Sequence, residues 1–346
     1  MSKQNGGATD APSITVIGEA LIDLVPTKHV ENALEYHARP GGSPFNVAIG
    51  LARLGARTQL MARLGDDAFG RILRQRATAE GVDLSLAPLA AEPATLAVVS
   101  FDNAARASYD FYLNRAANWQ WTADELARLK PETAAIHFGS LASWTPPGDT
   151  HIRHAITKRC EQGRTLISYD PNVRPTLLRN PEDARSLIEH TVKFAHIVKA
   201  SRDDILWLYP DQSLEDVAAR WLQLRAQVVI ITDGGDGSYA FTTNPADFQA
   251  PFVIHRPARP TRVVDTVGAG DAFTAGFLNA LARRGLLSPQ AVVTLTRNAL
   301  TACLDEANLI ASLTCERLGA DPPTLLPRPG RQPDTPLGRE DLGYPG

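Results

Sequence analysis

The chain is 346 residues long, 44% hydrophobic and 21% charged, with a formal net charge of −3. That length suits one large domain or two ordinary ones, and the near balance of charge argues against a global field for nucleic acid or an anionic membrane. An anionic ligand therefore needs a local site.

Cys160, Cys303 and Cys315 are odd in number, widely spaced and form no CxxC, so they read as reduced thiols of a cytoplasmic protein. No run of about 18 apolar residues is present to span a membrane. The polar opening MSKQNGGATDAPS lacks a signal-peptide core.

Residues 1–12 are expected to be disordered. A strand at Ile14–Gly18 opens the ordered part. Leu21–Pro26 and Ala33–Arg39 follow as an extended pair whose half-polar alternation suits a small β-lid. Next come a helix at Asn46–Leu54, a strand at Gln59–Ala62 and a helix at Ala68–Glu80. A second extended pair, Thr95–Phe101 with Ser108–Leu113, adds to the lid.

Strands are then predicted at Ala135–Phe138, Thr165–Tyr169, Ile197–Lys199 and Val228–Thr232, with helices at Asp183–Thr191 and Leu214–Leu224. Several strands are apolar throughout, as expected of a parallel sheet covered on both faces. The last third, Asp271–Arg284 and Ser288–Leu313, reads as helix. Strand–helix alternation implies right-handed crossovers and a three-layer α/β fold. Seven prolines between Asp321 and Gly346 predict an extended or disordered tail. One domain is thus expected over residues 13–320, with lid segments near 21–39 and 95–115.

The strongest motif is VVDTVGAGDAFTAGF, Val263–Phe277, which reads as a strand, a glycine turn and a helix start. Gly268, Ala269 and Gly270 leave their amides open to close approach, and the helix dipole adds to the attraction for an anion. Asp271 lies in the first helical turn. The dipole is expected to favour its ionised form, ready to accept a hydroxyl proton. A base beside an anion-binding turn suits phosphoryl transfer to an alcohol.

Competing motifs fail on single residues. A GxGxxG dinucleotide turn needs glycine at 273, where Phe273 stands. No GxxxxGK[ST], HRD or DFG is present.

VVDTVGAGDAF resembles the C-terminal signature of the ribokinase-like (PfkB) carbohydrate kinases, and GGSPFNVAIGLARLG with ARLGDDAFG resembles the N-terminal one. GEALIDLVP, DPNVRP, TDGGDGS and ANLIASLTCERLGADPPT continue the likeness from Ile14 to Pro323. GEALIDLVP, DPNVR and CERLGADPP are most similar to bacterial fructokinases. The resemblance implies a three-layer α-β-α ribokinase-like fold, with a mostly parallel central sheet and a small β-lid that closes over the sugar.

It further implies that Asp271 is the catalytic base, with Gly268, Ala269 and Gly270 as anion hole and Arg174 near the transferred phosphate. Asp23, Gly41, Gly42 and Asn46 match sugar-binding positions, and Tyr109, Tyr112 and Arg115 are lid residues placed to close on the sugar. Ser43 as N-cap and Pro44 at N1 also make an ordinary helix start.

ATP is expected at Thr232, Gly234 and Gly237, with Asn308 and Ser312 beside the adenine. Asp265 and the carbonyl of Val267 match a monovalent-cation site, which leaves potassium activation open. Many family members have NxxE where this chain has Ser201 and Asp204. Asp204 keeps the charge expected to organise Mg²⁺ through water, while Ser201 lacks the amide that contacts nucleotide.

The reading is an ATP-dependent, Mg²⁺-requiring kinase of a small sugar, foremost fructose. Alternatives are 2-keto-3-deoxygluconate, ribose, inositol or a nucleoside as acceptor, or a non-catalytic ligand-binding regulator. An acid sugar needs a further cation, for which Arg39, Arg106 and Arg115 are on offer. A homodimer through the lid strands is expected, because open strand edges need covering.

Overall fold

The computed structural model describes residues 13–30, 33–101, 107–242 and 252–324. The expectations for residues 1–12, most of the proline-rich tail and Arg106 lie outside the described residues.

The strands are β1 Ser13–Ile17, β2 Leu21–Val30, β3 Ala33–Gly41, β4 Arg57–Met61, β5 Leu64–Gly65, β6 Leu89–Ala90, β7 Thr95–Phe101, β8 Ala107–Tyr112, β9 Ala135–Gly139, β10 Leu166–Asp170, β11 Ile197–Ser201, β12 Val228–Thr232, β13 Ser238–Thr242 and β14 Phe252–Arg256. The helices are α1 Ser43–Arg53, α2 Ala68–Ala79, α3 Ala123–Ala127, α4 Gly148–Glu161, α5 Pro175–Leu178, α6 Pro181–Val192, α7 Arg202–Leu208, α8 Leu214–Gln223, α9 Ala269–Arg283, α10 Pro289–Val293 and α11 Arg297–Cys315.

Eight strands form the central sheet in the order β14-β13-β12-β11-β10-β9-β1-β4. The six from β12 to β4 run parallel, and β13 and β14 add an antiparallel edge. The parallel strands are buried nearly throughout, which is why their sequences are apolar runs. Alternate residues feed two cores: Leu166 and Ile197 pack on the side of α1, α9 and α11, and Ile167 and Val198 on the side of α4, α6 and α8. The three layers and the lid expected from sequence are all present.

The lid is a separate four-stranded sheet, β3-β2-β7-β8. Asp23 pairs with Arg39 and Ala97, and Ala97 with Phe111, so these four share one face. Pro40, Ile22, Leu96 and Tyr112 form the neighbouring row and face the other way.

Three local expectations change. The predicted helix Ser288–Leu313 is broken between Val293 and Arg297, because Thr296 accepts the Ala299 amide and caps a new helix. Helix α1 has Gly42, not Ser43, as its N-cap, with no side-chain cap. Packing also runs a few residues into the expected tail: Pro322 and Pro323 are buried. Arg53, itself buried, grips Glu80 through two hydrogen bonds of 2.9–3.0 Å and reaches Asp321 Oδ1 and the Pro322 carbonyl. A buried guanidinium is tolerable only when so fully paired.

Candidate active site

Strand β1 lies between β4 and β9, so successive crossovers leave it in opposite directions. A crevice opens outside the carboxyl ends of strands at such a switch point. Glu19 follows β1, Ser140 follows β9, Asp170 ends β10 with Asn172 and Arg174 just beyond it, lid strand β2 carries Asp23, and α9 points its N-terminus at the same place.

Gly268 begins α9 with φ 77°, and a Cβ there would fall 2.4 Å from Ala320 Cβ, so only glycine fits. The amide of Ala269 donates to the Thr266 carbonyl at 3.2 Å and closes the turn. Ala269 therefore does not offer the expected anion-hole amide. Those of Gly268, Gly270 and Asp271 have no acceptor among the described residues.

Asp271 is 9% exposed. Ser43 Oγ donates to its Oδ1 at 2.6 Å and Asn46 Nδ2 to its Oδ2 at 2.8 Å. Ser43 thus binds a carboxylate 228 positions away instead of capping its own helix. Burial pushes the Asp271 carboxyl above the ordinary range, against the two hydrogen bonds and the charge of Lys199 that pull it down. Desolvation outweighs the helix dipole expected to keep it low.

Asp23 is half-buried on the lid face above, with Gly41 backed closely onto its carboxylate. It has no hydrogen-bond partner among the described residues. Burial pushes its carboxyl up to about 7, opposed by Arg174 and then Arg39, and Asp271 raises it further. Arg174 is held by Asn172, whose Oδ1 and carbonyl accept from its Nη1 at 2.6 and 3.2 Å.

Tyr112 lies on the opposite lid face from Asp23 and is 63% exposed, so the structure does not bring it to the pocket. Phe111, one residue earlier, occupies the pocket face and stacks on Tyr109 at 6.1 Å. Arg115 is exposed, with φ 53°.

At the end expected to hold nucleotide, Thr232 ends β12 and donates to the Ala200 carbonyl at 3.5 Å, and Gly234 and Gly237 turn the chain with φ 47° and 96°. The side chains of Asn308 and Ser312 donate to carbonyls of Arg256 and Arg259, fastening α11 to the segment after β14. Ser201 caps α7, and its Oγ accepts the Asp204 amide. Asp204 Oδ2 accepts the Ser201 amide and Oδ1 the Val173 amide, both at 2.9 Å.

Among the described residues no group of three or more His, Cys, Asp or Glu could hold a metal ion directly. Each Asp204 oxygen retains a lone pair, so a Mg²⁺ ion reached through water fits these residues. Asp265 accepts the Val267 amide at 3.0 Å and the Gly319 amide at 2.8 Å, which fixes the turn expected to hold a monovalent cation.

Sequence reading missed Lys199, Asp170 and Glu19. Lys199 Nζ donates to Asp170 Oδ2 at 2.9 Å inside the sheet. Glu19 is buried with one oxygen unpartnered, and burial pushes its carboxyl up to about 7. A charged residue inside an apolar strand was the one available signal for Lys199.

The profile of the pfkB family carbohydrate kinases matches residues 11–326. The chain belongs to that family. It is 34% identical over 288 residues to a fructokinase of Rhizobium leguminosarum bv. trifolii, covering 83% of this chain and 85% of the relative. A fructokinase of Xylella fastidiosa with bound ATP superposes with a TM-score of 0.78 at 25% identity, covering 89% of this chain and 93% of that one. A Vibrio cholerae fructokinase variant with fructose, ADP and potassium ion gives 0.76 at 25% identity, covering 90% and 95%. The chain is a carbohydrate kinase, a phosphotransferase acting on a sugar hydroxyl. Among the described residues no helix is long and apolar enough to cross a membrane.

Proposed function

We propose that this kinase transfers the γ-phosphoryl group of ATP to a primary hydroxyl of fructose. The observation that carries the reading is Asp271, fixed by Ser43 and Asn46 beside unfilled amides, with Asp23 facing it from the lid. Relatives named fructokinase support the choice of sugar.

Asp23 accepts hydrogen bonds from two sugar hydroxyls and turns a third toward Asp271. Asp271 takes the hydroxyl proton as the oxygen bonds to the γ-phosphorus. The bond to the β–γ bridging oxygen breaks, ADP leaves, and the proton passes to solvent. The Gly268, Gly270 and Asp271 amides and Arg174 hold the charge spread over the phosphoryl oxygens.

Mg²⁺, held through water near Asp204, would neutralise phosphate charge, and a monovalent cation at the Asp265–Val267 turn would steady the anion hole. Lid closure excludes water.

Two arginines, Arg39 and Arg174, act on Asp23, which favours a second reading in which the acceptor is an anionic sugar such as 2-keto-3-deoxygluconate. ADP release measured across fructose, 2-keto-3-deoxygluconate, ribose, inositol and a nucleoside tests both. Fructose is expected to turn over fastest. A faster acid sugar selects the second reading, and silence with every acceptor rejects sugar-kinase action by these residues. Dimerisation through the lid edges β3 and β8 belongs to the same proposal, and a monomeric mass by light scattering removes it.

A further inference from the structure

Strand β11 is covered on both faces, and its alternation sends Ile197 and Lys199 toward α9 while Val198 and Ala200 face away. A lysine in that position is costly, because an apolar side chain of similar volume would pack there without desolvating a charge. Lys199 is 7% exposed. Burial pulls its ammonium down, but Asp170 first, then Asp204 and Asp271, raise it above the ordinary lysine value.

The position of the ammonium is specific. A Cβ built on Gly270 would meet Lys199 Nζ at 3.0 Å and no other atom within 4 Å. The charge therefore lies against Gly270, one of the residues whose amides are unfilled. Asp170 Oδ2 accepts one of the three N–H groups at 2.9 Å, and no other acceptor is present among the described residues. Asp170 is itself anchored by the Asn172 amide on its other oxygen, so the ammonium is held rather than free to swing. Two N–H bonds of a buried cation remain open at the mouth of the anion hole.

We propose that Lys199 is a further catalytic residue, whose Nζ donates to a non-bridging oxygen of the phosphoryl group in flight while Asp170 fixes the ammonium. The proposal rests on the sugar-kinase reading above. Lys199 transfers no proton: the hydroxyl proton goes to Asp271 and the β–γ bridging oxygen leaves with ADP. The lysine supplies a fixed positive charge that needs no reorganisation when charge spreads over the equatorial oxygens. A side chain at 270 would crowd the ammonium, which would have to give way by a few tenths of an ångström.

The test compares wild type with Lys199→Met, Lys199→Arg and Asp170→Asn. Wild-type turnover of ATP with the preferred sugar comes first, because its absence rejects the kinase reading and says nothing against Lys199 in particular. Lys199→Met is expected to lower kcat by at least ~10², the scale for loss of one fixed donor to developing charge, with both KM values within about three-fold and partial recovery in Lys199→Arg.

Affinity for ADP with aluminium fluoride and the sugar, a mimic of the phosphoryl group in transfer, should fall in parallel while ADP and sugar bind separately as in wild type. Near-normal kcat in Lys199→Met overturns the proposal. So does an equal loss of affinity for the mimic and for the separate ligands, which marks a structural lysine. If Lys199→Met does not fold, Asp170→Asn decides: weaker binding of the mimic by about ten-fold or more with ADP affinity intact supports the contact, and unchanged binding overturns it.

Discussion

The two carboxylates that face one another in the cleft belong to different fabrics. Asp271 sits on α9, whose residues from Asp271 to Leu281 are all buried, and both its oxygens are hydrogen-bonded. Asp23 sits on a lid sheet that exposes Leu34, Tyr36 and Tyr112, and its oxygens are unpartnered among the described residues. On the proposed reading, the phosphoryl end is assembled before substrate arrives, whereas the sugar end leaves its hydrogen bonds for the sugar to make. A rigid transfer site under a less densely packed cover is the arrangement expected where closure, not chemistry, selects the acceptor.

The largest expected effect strikes the rigid end. Asp271→Asn or Asp271→Ala should lower kcat by at least ~10², the usual scale of base catalysis, with sugar affinity preserved. Near-normal turnover in either variant removes the proposed base.

At the lid, Asp23→Asn should raise the KM for sugar by about ten-fold or more, consistent with loss of charged hydrogen bonds, and leave kcat largely intact. Because the Asp23 carboxyl lies near 7, wild-type KM should also rise as pH falls through about 7 and its acceptor form is lost. The variant should show no such rise. A pH-independent wild-type KM contradicts this half of the comparison.

Ser43→Ala sharpens the contrast further. Removing a donor from the Asp271 anion should raise its pKa further, since that hydrogen bond pulls it down against burial. The acid limb of kcat then moves to higher pH, with little change on the alkaline side. An unmoved limb means that the hydroxyl does not tune the base.

The smallest effect is on stability. Glu19 binds its proton more tightly folded than unfolded, so stability should decline as pH rises from the unfolded carboxyl value to about 7. Glu19→Gln should flatten that decline, which cannot exceed ~1.4 kcal/mol per pH unit for one group. Parallel denaturation curves for the two proteins over this window count against a neutral Glu19.

The fold was legible because the parallel strands are short apolar blocks and the helices carry ordinary start signals. Asp271 was legible because a carboxylate beside the open amides of GAG, within VVDTVGAGDAF, matched a family signature; an Asp at a helix start alone is an ordinary feature. What escaped depended on partners distant in sequence. Ser43 matched the local rule for an N-cap, yet Asp271 offered its hydroxyl a charged acceptor and Gly42 took the cap.

Tyr112 and Phe111 differ by one position, and alternation gives the period of a strand but not which face turns inward. Ala269 looked equivalent to its glycine neighbours until the turn closed through its amide. The antiparallel edge β13–β14 was not foreseen, since SYAFT and FVIHR stand outside the strand–helix rhythm.

The short stretch Gly319–Pro323 sits past the last helix yet touches three parts of the machinery. Gly319 donates its amide to Asp265, Ala320 roofs Gly268, and Asp321 and the Pro322 carbonyl accept hydrogen bonds from Arg53 under α1. A shortened version ending at Cys315 would strip the ceiling from the transfer site and leave the buried Arg53 with Glu80 but without its second carboxylate. Any trimming for crystallisation or tagging should therefore begin only after residue 324.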